Sequence, residues 1–191
     1  QAVKIKRLMQ HWSLNRISLL GMDMGGQPAL VFAADFPDLV DSVTVVNSLL
    51  YGNLPTSWEI RLLRRFGWNR TILRHLPAIV FARAEATFLT RENKLSPAVR
   101  ADFWNSFRRP AVRRFIIRLC AGYQGALPGL PELYRTIRCP VRAIWGGEER
   151  HFPVNHAAEL VAQLPGSGLT VLHDGRHWLP WSHPEELAAI L

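Results

Sequence analysis

Hydrophobic and polar positions along the chain follow two alternating periods, which predict strands and helices in turn. Short apolar runs rich in Val, Ile and Leu indicate buried strands at residues 17–20, 41–48, 140–147 and 169–175. Segments with apolar positions at helical spacing separate or follow these runs, as in residues 27–36 and 154–164. Strands that alternate with helices predict an α/β fold with a mostly parallel sheet and flanking helices.

The pattern becomes helical throughout residues 51–138. Thr56 and Ser96 each precede an apolar periodic run and indicate the N-caps of two of these helices. We therefore predict a core built from residues 1–50 and 139–191, interrupted by a helical lid at residues 51–138. With 191 residues, of which 48% are hydrophobic, the chain is long enough for such a core and insertion.

The first residues of the chain indicate an incomplete fold. The chain has no initiator Met, and residues 1–20 have the pattern of the end of a helix that runs into a strand. We expect this sequence to be a segment of a longer protein, and we expect the segment to lack the N-terminal strands of the sheet. The sequence does not decide whether a signal peptide precedes it in the longer protein.

Cysteine content and hydropathy narrow the cellular setting. Cys120 and Cys139 are too few for a disulfide framework or a zinc site, which predicts reduced thiols and a cytoplasmic protein. No apolar run approaches the ~20 residues that span a bilayer, so we expect no membrane partner.

The formal net charge of +8 raises a second functional class. Thirteen arginines lie between Arg61 and Arg118, interleaved with aromatic residues, and such a surface is compatible with a basic module that binds nucleic acid. Because these arginines alternate with apolar positions at helical spacing, we favour the solvated face of surface helices and expect no nucleic-acid partner.

A carboxylate lies in a glycine-rich corner between the first strand and the next helix. In the sequence GMDMGG, Gly21 and Gly25 flank Asp23 and remove side chains that would clash where strand and helix pass closely. Asp23 is thereby pushed out above the sheet edge, where a helix N-terminus stabilises negative charge. A simple helix cap is the alternative role.

An acid and a histidine follow at the ends of later strands. Glu148 and Glu149 come directly after the third strand, and His177 follows the fourth. Because the carboxyl ends of parallel strands share one edge of a sheet, these groups are expected near Asp23. Their chain order, nucleophile then acid then histidine, is typical of one type of hydrolytic triad.

Three segments, GMDMGG, VRAIWGGEERHFP and DGRHW with the following HPEE, resemble the α/β-hydrolase superfamily. The resemblance is to its aspartate-nucleophile branch of epoxide hydrolases and haloalkane dehalogenases. It implies an α/β-hydrolase fold with a helical lid, in which Asp23 is the nucleophile and His177 the base. Glu149 falls where that branch usually has aspartate, and Glu148 remains its competitor. The elbow and its oxyanion donor would be Gly21, Gly25, Gly26 and the backbone N–H of Met24.

An aspartate nucleophile suits displacement at saturated carbon. Its carboxylate is already ionised at neutral pH, since its ordinary pKa is about 3.9. Attack would leave an ester on Asp23, which water activated by His177 would hydrolyse while Glu149 holds the ring. This scheme requires no metal and no organic cofactor, and its substrate would be a small apolar organic molecule.

The leaving group is predicted from fewer residues. Dehalogenases of this branch commonly have tryptophan directly after the nucleophile, whereas this chain has Met24, which offers no side-chain donor. Epoxide opening needs a proton donor, usually a lid tyrosine in the resembling enzymes, and the candidates here are Tyr123, Tyr134 and Tyr51. The candidates for halide binding are Asn47 and three lid tryptophans, Trp58, Trp68 and Trp104.

We therefore predict an epoxide hydrolase, with a haloalkane dehalogenase as the alternative. We expect the whole protein to be an enzyme. Because the early strands and the second oxyanion donor of the family are missing, these 191 residues alone are expected to be weak or inactive.

Overall fold

The structure is a computed structural model that describes residues 1–64, 66–164 and 166–191, without the side chains of residues 66, 123 and 124. Its strands are β1 (Ile17–Met22), β2 (Val40–Val46), β3 (Val141–Gly146) and β4 (Gly168–Leu172). The helices of the core are α1 (Ala2–His11), α2 (Gly26–Asp35), α9 (Asn155–Gln163), α10 (Leu179–Ser182) and α11 (Pro184–Ile190). Between β2 and β3 lie α3 (Trp58–Leu63), α4 (Phe66–His75), α5 (Pro77–Phe88), α6 (Pro97–Phe107), α7 (Pro110–Ala126) and α8 (Leu130–Tyr134).

The strands form one sheet in the order β1-β2-β3-β4, and every neighbouring pair is parallel. The register aligns Met22 with Val46, and Val46 with Ile144, so the carboxyl ends of β1, β2 and β3 are level. The sequence prediction of a parallel sheet is confirmed. The loops that leave this edge carry the candidate catalytic residues.

Alternate side chains of the central strands face two different apolar layers. Val43 and Val45 of β2 and Trp145 of β3 belong to the main core, which also contains residues of α1, α2 and α9. Val46 and Ile144 point to the opposite face and pack against the two C-terminal helices. This period of two is what a strand buried on both faces requires.

The helices between β2 and β3 make the lid, the name we keep for residues 51–138. Its first helix, α3, is capped by Ser57, whose Oγ accepts a hydrogen bond from the N–H of Ile60, so the sequence prediction of a cap at Thr56 is wrong by one residue. The cap at Ser96 is confirmed, because its Oγ accepts from the N–H of Val99.

Within the described ranges, no helix is both long enough and apolar enough to cross a membrane. Cys120 and Cys139 are free thiols, and Cys120 is buried in the main core. Burial, with a smaller contribution from the Asp23 carboxylate, raises the pKa of the Cys120 thiol to about 11, so it stays protonated at neutral pH.

The corner after β1 is built on close backbone approach. A Cβ at Gly21 would overlap the carbonyl group of Gly25, and a Cβ at Gly26 would overlap the side chain of Ser48. Gly25 is different, because a Cβ there would meet nothing within 4 Å and its φ of −87° is helical. The sequence interpretation of Gly25 as a site of close approach is therefore wrong, and Gly21 and Gly26 have that role.

We expect Gly21→Ala to destabilise the chain by roughly 1–3 kcal/mol, because the new methyl group meets backbone atoms that cannot move aside. Gly25→Ala is the matched control in the same corner, and it should change the free energy of unfolding by less than about 1 kcal/mol, towards greater stability. Denaturant unfolding measures both, and equal losses would contradict this account of the corner.

Candidate active site

Asp23 occupies a strained corner between β1 and α2. Its φ is +50°, a left-handed conformation that costs a non-glycine residue about 1–3 kcal/mol. The carboxylate lies in a short 3₁₀ turn, Asp23–Gly25, that leads into the ten-residue helix α2. Its side chain is 36% exposed, so a small molecule can reach it. Such a strand-to-helix corner presents a nucleophile above the sheet.

The alternative role of Asp23 as a helix cap is not found. The N-cap positions of the 3₁₀ turn and of α2 are Met22 and Gly25, and neither helix start has a side-chain cap hydrogen bond. The Asp23 carboxylate instead faces an imidazole, with 3.8 Å between its Oδ2 and Nε2 of His177.

His177 connects Asp23 with an acid. It lies in the loop after β4, only 1% exposed, and its Nδ1 is 2.8 Å from Oε2 of Glu149 in the loop after β3. The imidazole therefore has a carboxylate at each ring nitrogen. The structure brings together the three residues that the sequence places at successive strand ends.

The two neighbouring glutamates have different surroundings. Glu149 is buried, and its Oε1 accepts hydrogen bonds from the backbone N–H groups of His151 (2.6 Å) and Phe152 (3.3 Å), which leaves Oε2 for His177. The Glu148 side chain is 51% exposed and pairs with Arg176. The geometry thus favours Glu149 over Glu148 as the partner of the histidine.

The charge state of His177 follows from these two carboxylates. Burial alone would lower the pKa of the imidazole, but attraction from the Asp23 carboxylate and the hydrogen bond and charge of Glu149 outweigh burial and raise it to about 10. At neutral pH the resting site is therefore a carboxylate, an imidazolium and a second carboxylate in a row.

Comparison with known families now identifies the scaffold. Residues 2–184 match the family described as alpha/beta hydrolase fold. The chain belongs to this family. The α/β-hydrolase fold predicted from the resemblance is confirmed.

Curated relatives of this chain share a name. A 2-hydroxy-6-oxononadienedioate/2-hydroxy-6-oxononatrienedioate hydrolase of Pseudomonas sp is 27% identical over 189 residues, which are 95% of this chain and 63% of the relative. A protein of the same name from Klebsiella pneumoniae is 25% identical, over 95% of this chain and 62% of the relative. The chain thus spans less than two thirds of the length of these relatives.

Solved structures share the fold at low identity. A 2-hydroxy-6-oxo-6-phenylhexa-2,4-dienoate hydrolase from Rhodococcus sp. strain RHA1 superimposes with a TM-score of 0.81 at 17% identity, over 99% of this chain and 67% of that protein. A serine hydrolase from Cycloclasticus zankles gives a TM-score of 0.79 at 14% identity, also over 99% and 67%.

Asn47 has a different place in this fold from the one predicted. The side chain is fully buried at the end of β2, where Nδ2 donates to the carbonyls of Arg176 (2.9 Å) and His177 (3.0 Å). Its Oδ1 accepts from the N–H of Gly146, the last residue of β3, at 2.9 Å. Because both donor hydrogens are used, Asn47 is not a halide ligand, and that prediction is wrong. It joins the ends of β2 and β3 to the histidine loop.

The tyrosines whose side chains the structure describes lie in the main core. Tyr134 is fully buried, and its hydroxyl donates to the carbonyl of Leu50. Tyr51 packs edge-on against Tyr134 and beside His156 in the main core, where burial raises the pKa of both phenols above the ordinary range. Both are therefore core residues, and the prediction of a proton donor at Tyr51 or Tyr134 is wrong. The side chain of Tyr123 lies outside the described residues.

Trp104 and Met24 complete the sequence candidates. Trp104 packs against Phe81 and Phe107 in a cluster of lid aromatic rings, 5.4 Å and 6.5 Å between centroids, and its role as a halide donor stays a prediction. Trp58 and Trp68 are exposed on the lid, and their roles as halide donors also stay predictions. Met24 follows Asp23 in the 3₁₀ turn, and its side chain packs against the main core. The role of its backbone N–H as an oxyanion donor stays a prediction.

His151 is a residue of the site that the sequence analysis missed. Thr87 donates its hydroxyl hydrogen to backbone carbonyls of α5, so it accepts from Nε2–H of His151 at 3.0 Å. The other ring nitrogen, Nδ1, then accepts from the hydroxyl of Ser57 at 2.9 Å. Burial is the largest influence on the pKa of His151 and lowers it, so this ring is neutral at neutral pH. The loop that carries Glu149 is thereby tied to two lid segments.

An aromatic ring of the lid covers the triad. Phe88, the last residue of α5, lies 4.4 Å from His177 and 5.1 Å from His151 between ring centroids. The only signal for Phe88 in the sequence is its position at the end of a periodic helix, and that signal does not say what the ring contacts.

Beside these rings lies an apolar cavity of about 280 Å³, lined by α3, α4 and α5 and reaching Phe88 and His151. Its charged lining residues, Glu59 and Arg83, pair with each other at 2.7 Å. Among the residues that the structure describes, no three His, Cys, Asp or Glu side chains cluster as metal ligands. The site is thus a reachable carboxylate and a buried imidazolium next to a small apolar cavity.

Replacing each glutamate separately tests the charge state of the imidazole. We expect NMR titration of His177 to give a midpoint near pH 10 in the unchanged chain and a clearly lower midpoint in Glu149→Gln, because a buried carboxylate is lost. Glu148→Gln is the matched control, and its exposed side chain should leave the midpoint almost unchanged. Equal shifts in both variants would contradict the assignment of Glu149 as the partner.

Asn47→Ala should destabilise the chain by about 3 kcal/mol or more, because it leaves an N–H group and two carbonyls buried without their partner. The left-handed φ of +39° at this position adds to the loss. Asn105→Ala, at an exposed position of α6, is the control and should change stability by less than about 0.5 kcal/mol. Similar chemical unfolding curves for the two variants would refute the role of Asn47.

Proposed function

We propose that this chain carries the catalytic groups of an epoxide hydrolase, with Asp23 as nucleophile and His177 first as acid and then as base. The observation that carries the proposal is the position of His177, buried between the carboxylates of Asp23 and Glu149. The arrangement supplies both an ionised nucleophile and the proton that an opening epoxide needs.

In the first step, an Asp23 oxygen attacks a carbon of the epoxide ring. A C–O bond forms between the carboxylate and the substrate, and the ring C–O bond breaks to give an alkoxide. The 36% exposure of Asp23 permits the approach, and the corner holds the carboxylate out of the sheet. The product of this step is an ester on Asp23.

The alkoxide takes its proton from Nε2 of His177. Because the pKa of this imidazole is raised to about 10, the ring is charged at neutral pH and has a proton to give. This source accounts for epoxide opening even though Tyr51 and Tyr134 are held in the core. The His177 ring becomes neutral as the hydroxyl group of the ester forms.

Formation of the ester also converts His177 into a base. The Asp23 charge is one of the influences that raise the pKa of the ring, so its loss on esterification lowers that pKa. Glu149 remains on Nδ1–H and leaves Nε2 free to accept a proton from water. The imidazolium that is needed for the next turnover is then restored.

Hydroxide from this water attacks the carbonyl carbon of the Asp23 ester. When the tetrahedral intermediate collapses, the ester C–O bond breaks, and the proton of the new Asp23 carboxyl group passes to the departing diol oxygen. Asp23 ends as a carboxylate and His177 as an imidazolium, so protons balance over the cycle. One Asp23 oxygen is exchanged for an oxygen from water.

The apolar cavity supports a small apolar epoxide as substrate. Its volume of about 280 Å³ lies near the lower end of small-molecule sites, which span about 300–1,000 Å³. Its one pair of charged side chains is mutually neutralised by the contact between Glu59 and Arg83. An aryl or short alkyl epoxide suits this lining better than an ionised substrate.

Two other substrates are supported less well. A haloalkane would release a halide, which needs hydrogen-bond donors and no proton. Among the predicted donors, Asn47 uses both amide hydrogens elsewhere and Trp104 packs among lid rings, which leaves Trp58 in the lining of the apolar cavity. A 2-hydroxy-6-oxo dienoate is the second candidate, because relatives 25% and 27% identical over 95% of the chain carry names of that type.

Trapping of the ester tests the nucleophile. We expect Glu149→Gln to slow ester hydrolysis by about 10⁴-fold, because the imidazole loses its orienting partner, so that aryl epoxide leaves a covalent adduct on Asp23. Intact-mass spectrometry and peptide mapping detect it. Asp23→Asn should give no adduct, and Asp35→Asn, exposed on α2, should behave as the unchanged protein.

His177→Gln distinguishes the two leaving groups. A bromoalkane should still alkylate Asp23 in this variant, because a halide departs without a proton, whereas aryl epoxide should not. An epoxide adduct in His177→Gln would contradict His177 as the acid. No adduct on Asp23 in any folded variant would contradict the nucleophile and favour the basic binding module or an incompetent fragment.

Labelled water tests the second candidate. Single turnover of an epoxide in water enriched in heavy oxygen should place the label in the Asp23 carboxylate. Turnover of a 2-hydroxy-6-oxo dienoate without label in Asp23 would instead assign Asp23 to proton transfer and overturn the proposed reaction.

A further inference from the structure

The net positive charge of the molecule comes from the lid. Residues 51–138 contain 16 lysines and arginines and 5 aspartates and glutamates, a net charge of +11. The rest of the chain contains 7 basic and 10 acidic residues, a net charge of −3. Binding through the whole surface would not require the net positive charge to be separated from the rest of the chain.

Part of this charge converges on one cavity, which we call the arginine cavity. It lies between the packed helices α4 and α7 and has a volume of about 710 Å³. Five arginines and a histidine line it: Arg70, Arg74 and His75 from α4, and Arg113, Arg114 and Arg118 from α7. It is separate from the apolar cavity beside the triad, which is lined by Ile72 of α4.

These guanidinium groups are not neutralised. Among the residues described by the structure, no acidic side chain lines the arginine cavity. Within the part of the chain that the structure describes, Arg70, Arg74, Arg114 and Arg118 have neither an ion pair nor a hydrogen bond through their side chains. Three of the five lid acids pair with other arginines, in Arg83–Glu59, Arg100–Glu85 and Arg135–Glu132.

The arrangement opposes helix stability unless an anion is bound. Arg70 and Arg74 are four residues apart on α4, and Arg114 and Arg118 are four apart on α7, the spacing at which like charges repel on a helix. Packing these two faces around one cavity adds repulsion between the helices. A multiply charged anion between them would remove both costs.

We propose that the arginine cavity binds a small anion that carries more than one phosphate charge. The planar guanidinium fork matches two oxygens of a phosphate group at once, and several forks in one cavity suit adjacent phosphates. A free polyphosphate and a phospholipid headgroup share this chemistry. The proposal does not depend on the reaction at Asp23.

The shape of the site favours a small anion over a nucleic-acid strand. A cavity of about 710 Å³ is within the range of small-molecule sites, about 300–1,000 Å³. Single-stranded nucleic acid is bound along grooves by aromatic rings that stack on bases. The lid rings Phe81, Trp104 and Phe107 instead pack on one another, at 5.4 to 6.5 Å between centroids.

Calorimetric titration with inorganic tripolyphosphate tests the proposal at about 150 mM salt, where nonspecific attraction is largely screened. We expect saturable binding at one site. Arg74→Gln with Arg114→Gln, one change on each helix, should weaken it by about tenfold or more. Arg74→Lys with Arg114→Lys keeps the net charge but loses the forks, and should weaken it several-fold.

The matched control removes the same charge elsewhere. Arg7→Gln with Arg138→Gln changes two exposed arginines outside the cavity and should leave affinity within about twofold. Equal weakening by the two Gln pairs, or absence of saturable binding, would overturn the proposal. Thermal melting checks that each variant is folded. If the variant with Arg74→Gln and Arg114→Gln does not fold, the single change Arg118→Gln replaces it.

A second arm identifies the source of the phosphate. The chain is sedimented with phosphatidylglycerol vesicles, with and without tripolyphosphate. Vesicle binding that tripolyphosphate displaces, and that is lost in the variant with Arg74→Gln and Arg114→Gln, would support the site with a lipid headgroup as its natural ligand. Vesicle or single-stranded DNA binding without saturable tripolyphosphate binding would contradict it, because an extended basic surface would then explain the charge.

Discussion

His177 is buried with a charge, and the architecture around it compensates the cost. A buried ion is stable only when its partners are close and themselves held by hydrogen bonds. Glu149 meets this condition because two backbone N–H groups bind its second oxygen. The histidine loop is fixed in turn by Asn47, which binds the carbonyls of Arg176 and His177 from the end of the neighbouring strand. The reach of the Asp23 carboxylate towards the ring then requires the corner that only glycine at position 21 permits.

Residues whose role follows from local sequence could be predicted. Asp23, Glu149 and His177 each come just after an apolar strand, and parallel strands bring their carboxyl ends to one edge. The roles of Asn47 and Tyr134 could not be predicted, because their partners lie 129 and 84 residues away in sequence. Helical periodicity gives the apolar face of a lid helix but not the helix against which that face packs. The leaving-group candidates were the predictions that depended most on such distant contacts.

Helix α4 separates two chemically different cavities. Ile72 lines the apolar cavity beside the triad, whereas Arg70 and Arg74 line the arginine cavity. A step of two residues on an α-helix is about 200°, so Ile72 lies on nearly the opposite face from both arginines. One helix therefore forms a wall of both cavities. A movement of α4 along or about its axis would change the shape of each.

The hydrogen bonds of His151 to the lid also affect the order in which the chain can fold. Ser57 and Thr87 lie 94 and 64 residues before His151, and both form hydrogen bonds with its ring. During synthesis the lid helices leave the ribosome before the residue that fixes them. Their local turns can form early, but closure of these long loops must wait for β3 and the segment after it. Docking of the lid and completion of the acid loop are therefore one late event in the folding of this chain.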